Sequence, residues 1–271
     1  MKIENVAFLI PIHPNHYHFI YDLINKLKFN DIDISICLVF SNCTDYDAFI
    51  MKNEIVPIVI SSPFQPNSIV TYKKFYGLKH LANSKFDYII CCDSEIDIMC
   101  SNFTTENVNH KIKCIFDNKK IYAGETQIEP IINITQTSAN LFMDKYEYLK
   151  NITKNFTLYF WWSDLPVYRT TDLNPFFNAI NYDNIGRSHF DYIIYQYYLI
   201  LCHDFEIVNI TPMTNCAFSF EELNTNDIDI LNKLINIGYG FSWNNKRFYN
   251  LNKQFVESQQ GFLIYHLDRW P

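Results

Sequence analysis

The chain has no Cys-x-x-Cys pair, no long block of one charge sign, and no apolar run near the roughly 20 residues of a membrane span. The first absence argues against a zinc ribbon, the second against a charged interaction tail, the third against a spanning helix. A formal net charge of −7 argues against a general nucleic-acid binder, which would need a basic face. The start, MKIENVAFLIPIHP, carries a charge and a short apolar run, but Pro11 and the histidines after it end the run too early for a signal peptide. It reads as a first buried strand, and the expected location is cytoplasmic. The 8 cysteines fit a reducing compartment, and Cys91 and Cys92, adjacent within an apolar run, read as small core side chains.

What is present is apolar and aromatic. With 271 residues, 48% hydrophobic and 17% aromatic, the chain can fill one large core. Strand patterns fall at 5–12, 32–41, 55–61 and 88–92. Helical spacing of apolar positions follows the first strand (Phe19, Leu23, Ile24, Leu27) and precedes the fourth (Ile69, Tyr72, Phe75, Tyr76, Leu78, Leu81). This β-α-β-β-α-β order predicts an α/β fold with a mostly parallel sheet flanked by helices. The ends of the first, second and fourth strands then converge on one cleft. Farther on, KIKCIFDNKKIYAGE reads as two short strands around Asp117-Asn118, and 186–202 as an apolar helix with Ser188 as N-cap and Asp191 at N3.

The fourth strand, Tyr88-Ile89-Ile90-Cys91-Cys92, stops at Asp93-Ser94-Glu95-Ile96-Asp97. Three acids within five residues repel one another unless a cation or strong donors sit between them. A divalent metal with a phosphate on its far side accounts for them; a solvated acidic turn is the alternative. If the strand continues, Asp93 and Glu95 fall on one side, with Asp97 in reserve. Lys73 and Lys74 on the preceding helix are either a solvated face or reach for a diphosphate. His13, at the first strand's carboxyl end, is a candidate nucleotide contact. His13, His16 and His18 lack the nearby acid or cysteine that would complete a zinc site.

The segment TYKKFYGLKHLANSKFDYIICCDSEIDI, with Lys73, Lys74, Gly77, Asp87-Tyr88 and Asp93-Ser94-Glu95, resembles the nucleotide-sugar half of A-fold (GT-A, Asp-x-Asp-type) glycosyltransferases. The first strand, FLIPIHP, is similar to their opening strand, which leads into a nucleotide-contacting loop at Pro11 and His13. Two departures stand out: Glu95 occupies the third motif position, and the acid often found after the second strand appears only as Asn42 or Asp45.

The resemblance implies a single glycosyltransferase domain over 1–271, with a nucleotide-sugar half to about residue 100 and an acceptor half beyond it. It implies a UDP- or GDP-linked sugar as donor, a glycan or small hydroxyl compound as acceptor, and Mn2+ or Mg2+ as cofactor. Asp93, Glu95 and Asp97 would hold the metal, with Ser94 inside the motif. A late histidine, His266, would complete the metal site, and Arg269 would reach the diphosphate. By the same analogy Asp191, at a helix start, is the first candidate base and Asp164 the second. Trp161 and Trp162, beside Asp164, are either an acceptor platform or ordinary aromatic core. Two other readings stay open. A sugar nucleotidyltransferase calls for a Gly-rich, basic loop after the first strand, and Pro11 to Asn15 contains neither Gly nor a basic Lys or Arg. The other is a non-catalytic sugar-binding module on a transferase scaffold.

Overall fold

A wholly buried strand sits at the centre of the main sheet. β1 (Val6–Pro11) is buried along its whole length, as a strand covered on both faces must be. The computed structural model describes residues 5–61, 69–98, 104–160, 166–180, 185, 189–209, 211–214, 242–244 and 263–266. After β1 come α1 (Tyr17–Phe29), β2 (Ser35–Phe40), α2 (Cys43–Ala48), β3 (Val56–Val59), α3 (Ile69–Leu81) and β4 (Tyr88–Cys91). Then follow β5 (Ile96–Ile98), α4 (Thr105–Asn118), β6 (Lys120–Glu125), α5 (Glu129–Ala139), α6 (Tyr146–Ile152) and β7 (Leu158–Tyr159). The described chain continues through β8 (Val167–Arg169), α7 (Thr170–Ala179), α8 (Asp191–His203), β9 (Glu206–Asn209), α9 (Thr211–Thr214), β10 (Ser242–Asn244) and β11 (Leu263–His266).

The main sheet runs β3-β2-β1-β4-β8. Its first four strands are parallel, and β8 closes the edge antiparallel to β4. This is the mostly parallel, helix-flanked α/β architecture that the strand and helix order predicts. Two three-stranded sheets accompany it, β10-β11-β5 and β7-β6-β9. Among the described residues no helix is long and apolar enough to cross a membrane.

Helix α3 explains the fate of its lysines. Its buried residues include Lys73, Lys74, Phe75 and Leu78, which cannot share one narrow stripe, because α3 packs on β1 and β2 on one side and on α7 and α8 on the other. Gly77 permits the close approach. A Cβ there would lie 2.6 Å from Leu9 Cδ1 and 2.8 Å from Val39 Cγ2, both on wholly buried side chains.

Three local expectations need correction. Residues 111–116 are helix, not strand: Thr104 caps α4 through Asn107 N, and Val108, Ile112 and Phe116 bury one stripe at four-residue spacing. Lys119 then takes a left-handed conformation (φ 49°) and β6 begins at the next residue. In α1 the buried face is Tyr17, Ile20, Leu23, Ile24 and Leu27, with Phe19 only partly covered. Helix α8 starts at Asp191 itself, with Phe190 as its uncapped N-cap residue, so Asp191 is the first helical residue rather than N3. Ser188 lies outside the described residues.

Candidate functional site

The parallel strands end together, and their carboxyl ends carry the polar side chains. Past β1, Ile12 donates its N–H to Val39 O, and His13 accepts from Asn15 N, capping a one-turn 3-10 helix over Pro14–His16. Pro11 is buried as the last residue of β1, whereas His13 is exposed. Past β2, Asn42 caps α2 by accepting from Asp45 N at 2.8 Å. Past β4, the acidic segment turns instead of continuing as a strand, so the expected alternation of Asp93 and Glu95 onto one side does not occur. Asp93 and Glu95 each have their own cation or donor.

Asp93 meets Lys74, whose Nζ lies 2.9 Å from Oδ1. The same ammonium lies 3.7 Å from Asp191 Oδ1, at the head of α8. Asp191 Oδ2 accepts a 2.6 Å hydrogen bond from the Tyr168 hydroxyl on β8. Four segments distant in sequence, the turn after β4, α3, α8 and β8, thus build one chain: Asp93, Lys74, Asp191, Tyr168. Burial alone would pull the Lys74 pKa down; Asp191 and then Asp93 outweigh it and hold the ammonium above its ordinary value. Burial, followed by Asp191, pushes the Tyr168 hydroxyl well up, so it stays a donor. The Asp191 carboxylate is 3% exposed, whereas that of Asp93 is 32% exposed.

Glu95 belongs to a second group. Ser94 Oγ donates to Glu95 Oε2 at 2.7 Å and stands 2.7 Å from His16 Nδ1, which is itself 3.3 Å from Glu95 Oε2. The loop after β1 is thereby tied to the turn after β4. Lys73, one residue before Lys74, has a different partner. Its Nζ donates to Ile12 O at 2.6 Å, and burial pulls its pKa down to about 8, with Asp45 acting in the opposite sense. Cys91 and Cys92, beneath this group, are buried thiols that burial keeps protonated.

Strand β11 returns the late part of the chain to the acidic turn. It pairs antiparallel with β5, setting Tyr265 opposite Asp97 and His266 opposite Ile96, the residue after Glu95. Asp164, Trp161, Trp162 and Arg269 lie outside the described residues. Among the described residues no three His, Cys, Asp or Glu side chains converge on one point. The donor set still fits a hard cation that shares its ligands with a substrate. Carboxylates of Asp93 and Glu95 stand at the turn, and a bound diphosphate and water would supply further oxygens.

Two participants escape sequence reasoning. Tyr168 lies in a short edge strand with no local pattern marking it; only the pairing of β8 with β4, Ile89 opposite Tyr168, carries it to Asp191. His16 is visible as one of a histidine cluster, but its partners, Ser94 and Glu95, come from another strand end.

No protein-family model matches the chain, and no curated protein matches it. Among solved structures the chain is similar to the mannosyltransferase Ktr4p from S. cerevisiae, at 12% identity and a TM-score of 0.37, over 63% of this chain and 57% of that one. It is also similar to a mannose-1-phosphate geranyltransferase from Thermus thermophilus, at 5% identity and a TM-score of 0.33, over 77% of this chain and 70% of that one.

Proposed function

We propose that the chain is a glycosyltransferase that moves a sugar from a UDP- or GDP-linked donor to a hydroxyl of a glycan or small acceptor. The observation that carries this reading is the placement of Asp93, Lys74 and Glu95 together at the carboxyl ends of β1 and β4, where open parallel sheets bind their ligands.

In the reaction the acceptor oxygen bonds to the anomeric carbon, and the bond from that carbon to the diphosphate oxygen breaks. The electron pair leaves with the nucleoside diphosphate, and the acceptor proton passes to a base. The barrier falls when positive charge already stands where the phosphate charge develops. Lys74 supplies one such charge at Asp93. A Mn2+ or Mg2+ ion held by Asp93 and Glu95 would neutralise the leaving diphosphate. Asp97 and His266, brought beside the turn by β5 and β11, are the further candidates for it, and Arg269 for the phosphates. Pro11, His13 and Asn42 edge the nucleotide side. Asp191, enclosed between Lys74 and Tyr168, acts here as a positioning residue that holds the ammonium in place. The proton then falls to Asp164 in an inverting reaction, or to a phosphate oxygen of the leaving group in a retaining one.

Calorimetric titration with UDP- and GDP-sugars, with and without Mn2+, tests the proposal. Metal-dependent binding of one donor is expected, lost in Asp93→Ala while the circular dichroism spectrum is kept. Absence of binding by every donor tried overturns it; binding without turnover toward any acceptor would leave a sugar-nucleotide-binding module.

A further inference from the structure

The histidines after β1 have no acid beside them in the sequence, and the fold supplies one. His16 closes the one-turn 3-10 helix that Pro14 opens and the His13 side chain caps, so its own loop sets its backbone. Its ring then meets the turn after β4, 78 residues along the chain.

Three donor atoms come together there. Ser94 Oγ lies 2.7 Å from His16 Nδ1 and 2.7 Å from Glu95 Oε2, and the two outer atoms are 3.3 Å apart. A divalent ion bonds such atoms at about 2.1 Å, which sets neighbouring ligands of an octahedral ion about 3.0 Å from each other. The triangle therefore has, within about 0.3 Å, the edges of one octahedral face. Because the Ser94 hydroxyl donates to Glu95, its short contact with His16 uses a proton on Nδ1. An ion takes that proton's place, and the proton leaves for Nε2 or for water. Ser94 is 5% exposed and the Glu95 side chain 14%, whereas the His16 side chain is 32% exposed, so water reaches one corner of the triangle. At Asp93 the Lys74 ammonium already stands as a cation, while the partners of Glu95 are a hydroxyl and an imidazole.

We propose that His16 is a metal ligand: its Nδ1, with Glu95 Oε2 and Ser94 Oγ, holds one face of a divalent cation, and Asp93, water or phosphate oxygens take the other positions. This rests on the reading of the acidic turn as the place of the metal, and it draws the nitrogen from the first loop rather than from His266. An imidazole favours Co2+ and Zn2+, whereas Mg2+ keeps to oxygen. The whole chain and the metal alone, with no sugar nucleotide, make the test. In calorimetry Co2+ should bind more tightly than Mg2+. His16→Gln should weaken Co2+ by about tenfold or more, the scale on which even the partners of metal ligands act, and leave Mg2+ unchanged. His18→Gln, exposed on α1, should change neither. In nitrogen NMR of the unmodified chain, one equivalent of Zn2+ should shift the Nδ1 resonance of His16. Failure of Co2+ to bind at millimolar concentration, or an unmoved His16 Nδ1, overturns the assignment without any variant. Equal or tighter Co2+ binding in His16→Gln also overturns it, and makes His16 a competitor for Glu95. Sugar-nucleotide binding whose Mn2+ requirement is unchanged in His16→Gln sinks this ligand and spares the transferase; a metal bound at His16 with no donor taken up does the reverse.

Discussion

Two buried aspartates, Asp191 and Asp172, are built from the same parts and serve different ends. Each lies near a helix start, accepts from a tyrosine hydroxyl, and faces a cation. Asp191 has Tyr168 and Lys74; Asp172 has Tyr195 and Arg169, with Arg169 Nε at 2.9 Å. The Asp172 group is closed on itself. Arg169 also meets His203 Nδ1 at 3.2 Å and stacks over Phe116, and the carboxylate is 5% exposed. The Asp191 group ends differently. Its lysine passes on to Asp93, which is 32% exposed. A guanidinium forks across one carboxylate, whereas an ammonium is a point charge that two carboxylates share. The comparison separates a cation held by one carboxylate from one that two carboxylates share.

Removing the acid tests the difference most severely. Asp191→Ala leaves Lys74 11% exposed with Asp93 as its remaining acid, and should cost about 3–5 kcal/mol in urea unfolding. Asp172→Ala should cost about 1–2 kcal/mol less, because Arg169 is 28% exposed and turns to water. Equal losses would mean that Asp93 alone suffices to hold Lys74.

The next test asks whether pairing or burial governs a lysine here. Lys73 is as buried as Lys74 but is bonded to a carbonyl, and its pKa falls to about 8 rather than rising. Between pH 8 and the unfolded value near 10.5 the unfolded chain binds more protons, so stability should rise with pH across that window. Measured as the difference between the unmodified chain and Lys73→Met, which cancels the cysteines and tyrosines, the gain should be about 2 kcal/mol. A flat difference would show that Lys73 reaches water.

The smallest effects come from the hydroxyls. Tyr168→Phe and Tyr195→Phe should each cost about 1 kcal/mol in stability. Only Tyr168→Phe should also weaken nucleotide-sugar binding in calorimetry, since only its aspartate is joined to the cleft. Loss of donor affinity in Tyr195→Phe would erase the distinction between the two groups.

The central sheet was legible because β1, β2 and β4 are unbroken apolar, β-branched runs, a pattern that survives without knowledge of neighbours. The acidic turn after β4 was legible for the same reason: the change from Cys92 to Asp93 is abrupt. What α3 does with Lys73 and Lys74 was not, because helical spacing identifies a helix but not whether both its sides are covered. Residues 111–116 misled because Ile112, Cys114 and Phe116 alternate as a strand would, while the stripe of Val108, Ile112 and Phe116 needs the longer window. The partners of Asp191 were illegible in principle. Tyr168 and Lys74 reach it only through the β4–β8 pairing and the seating of α3, both long-range.

Gly77 gives these relations a practical edge. The residue has no side chain, yet the missing methyl sets the depth at which α3 lies on Leu9 and Val39, and so the height of Lys74 three positions earlier. A mutational library aimed at the cleft would leave this position alone, since nothing about it suggests chemistry. Gly77→Ala would nevertheless press on Leu9 and Val39 and shift the ammonium relative to Asp93. For anyone redesigning the cleft, position 77 is the depth gauge, and the charges are adjusted only after it is fixed.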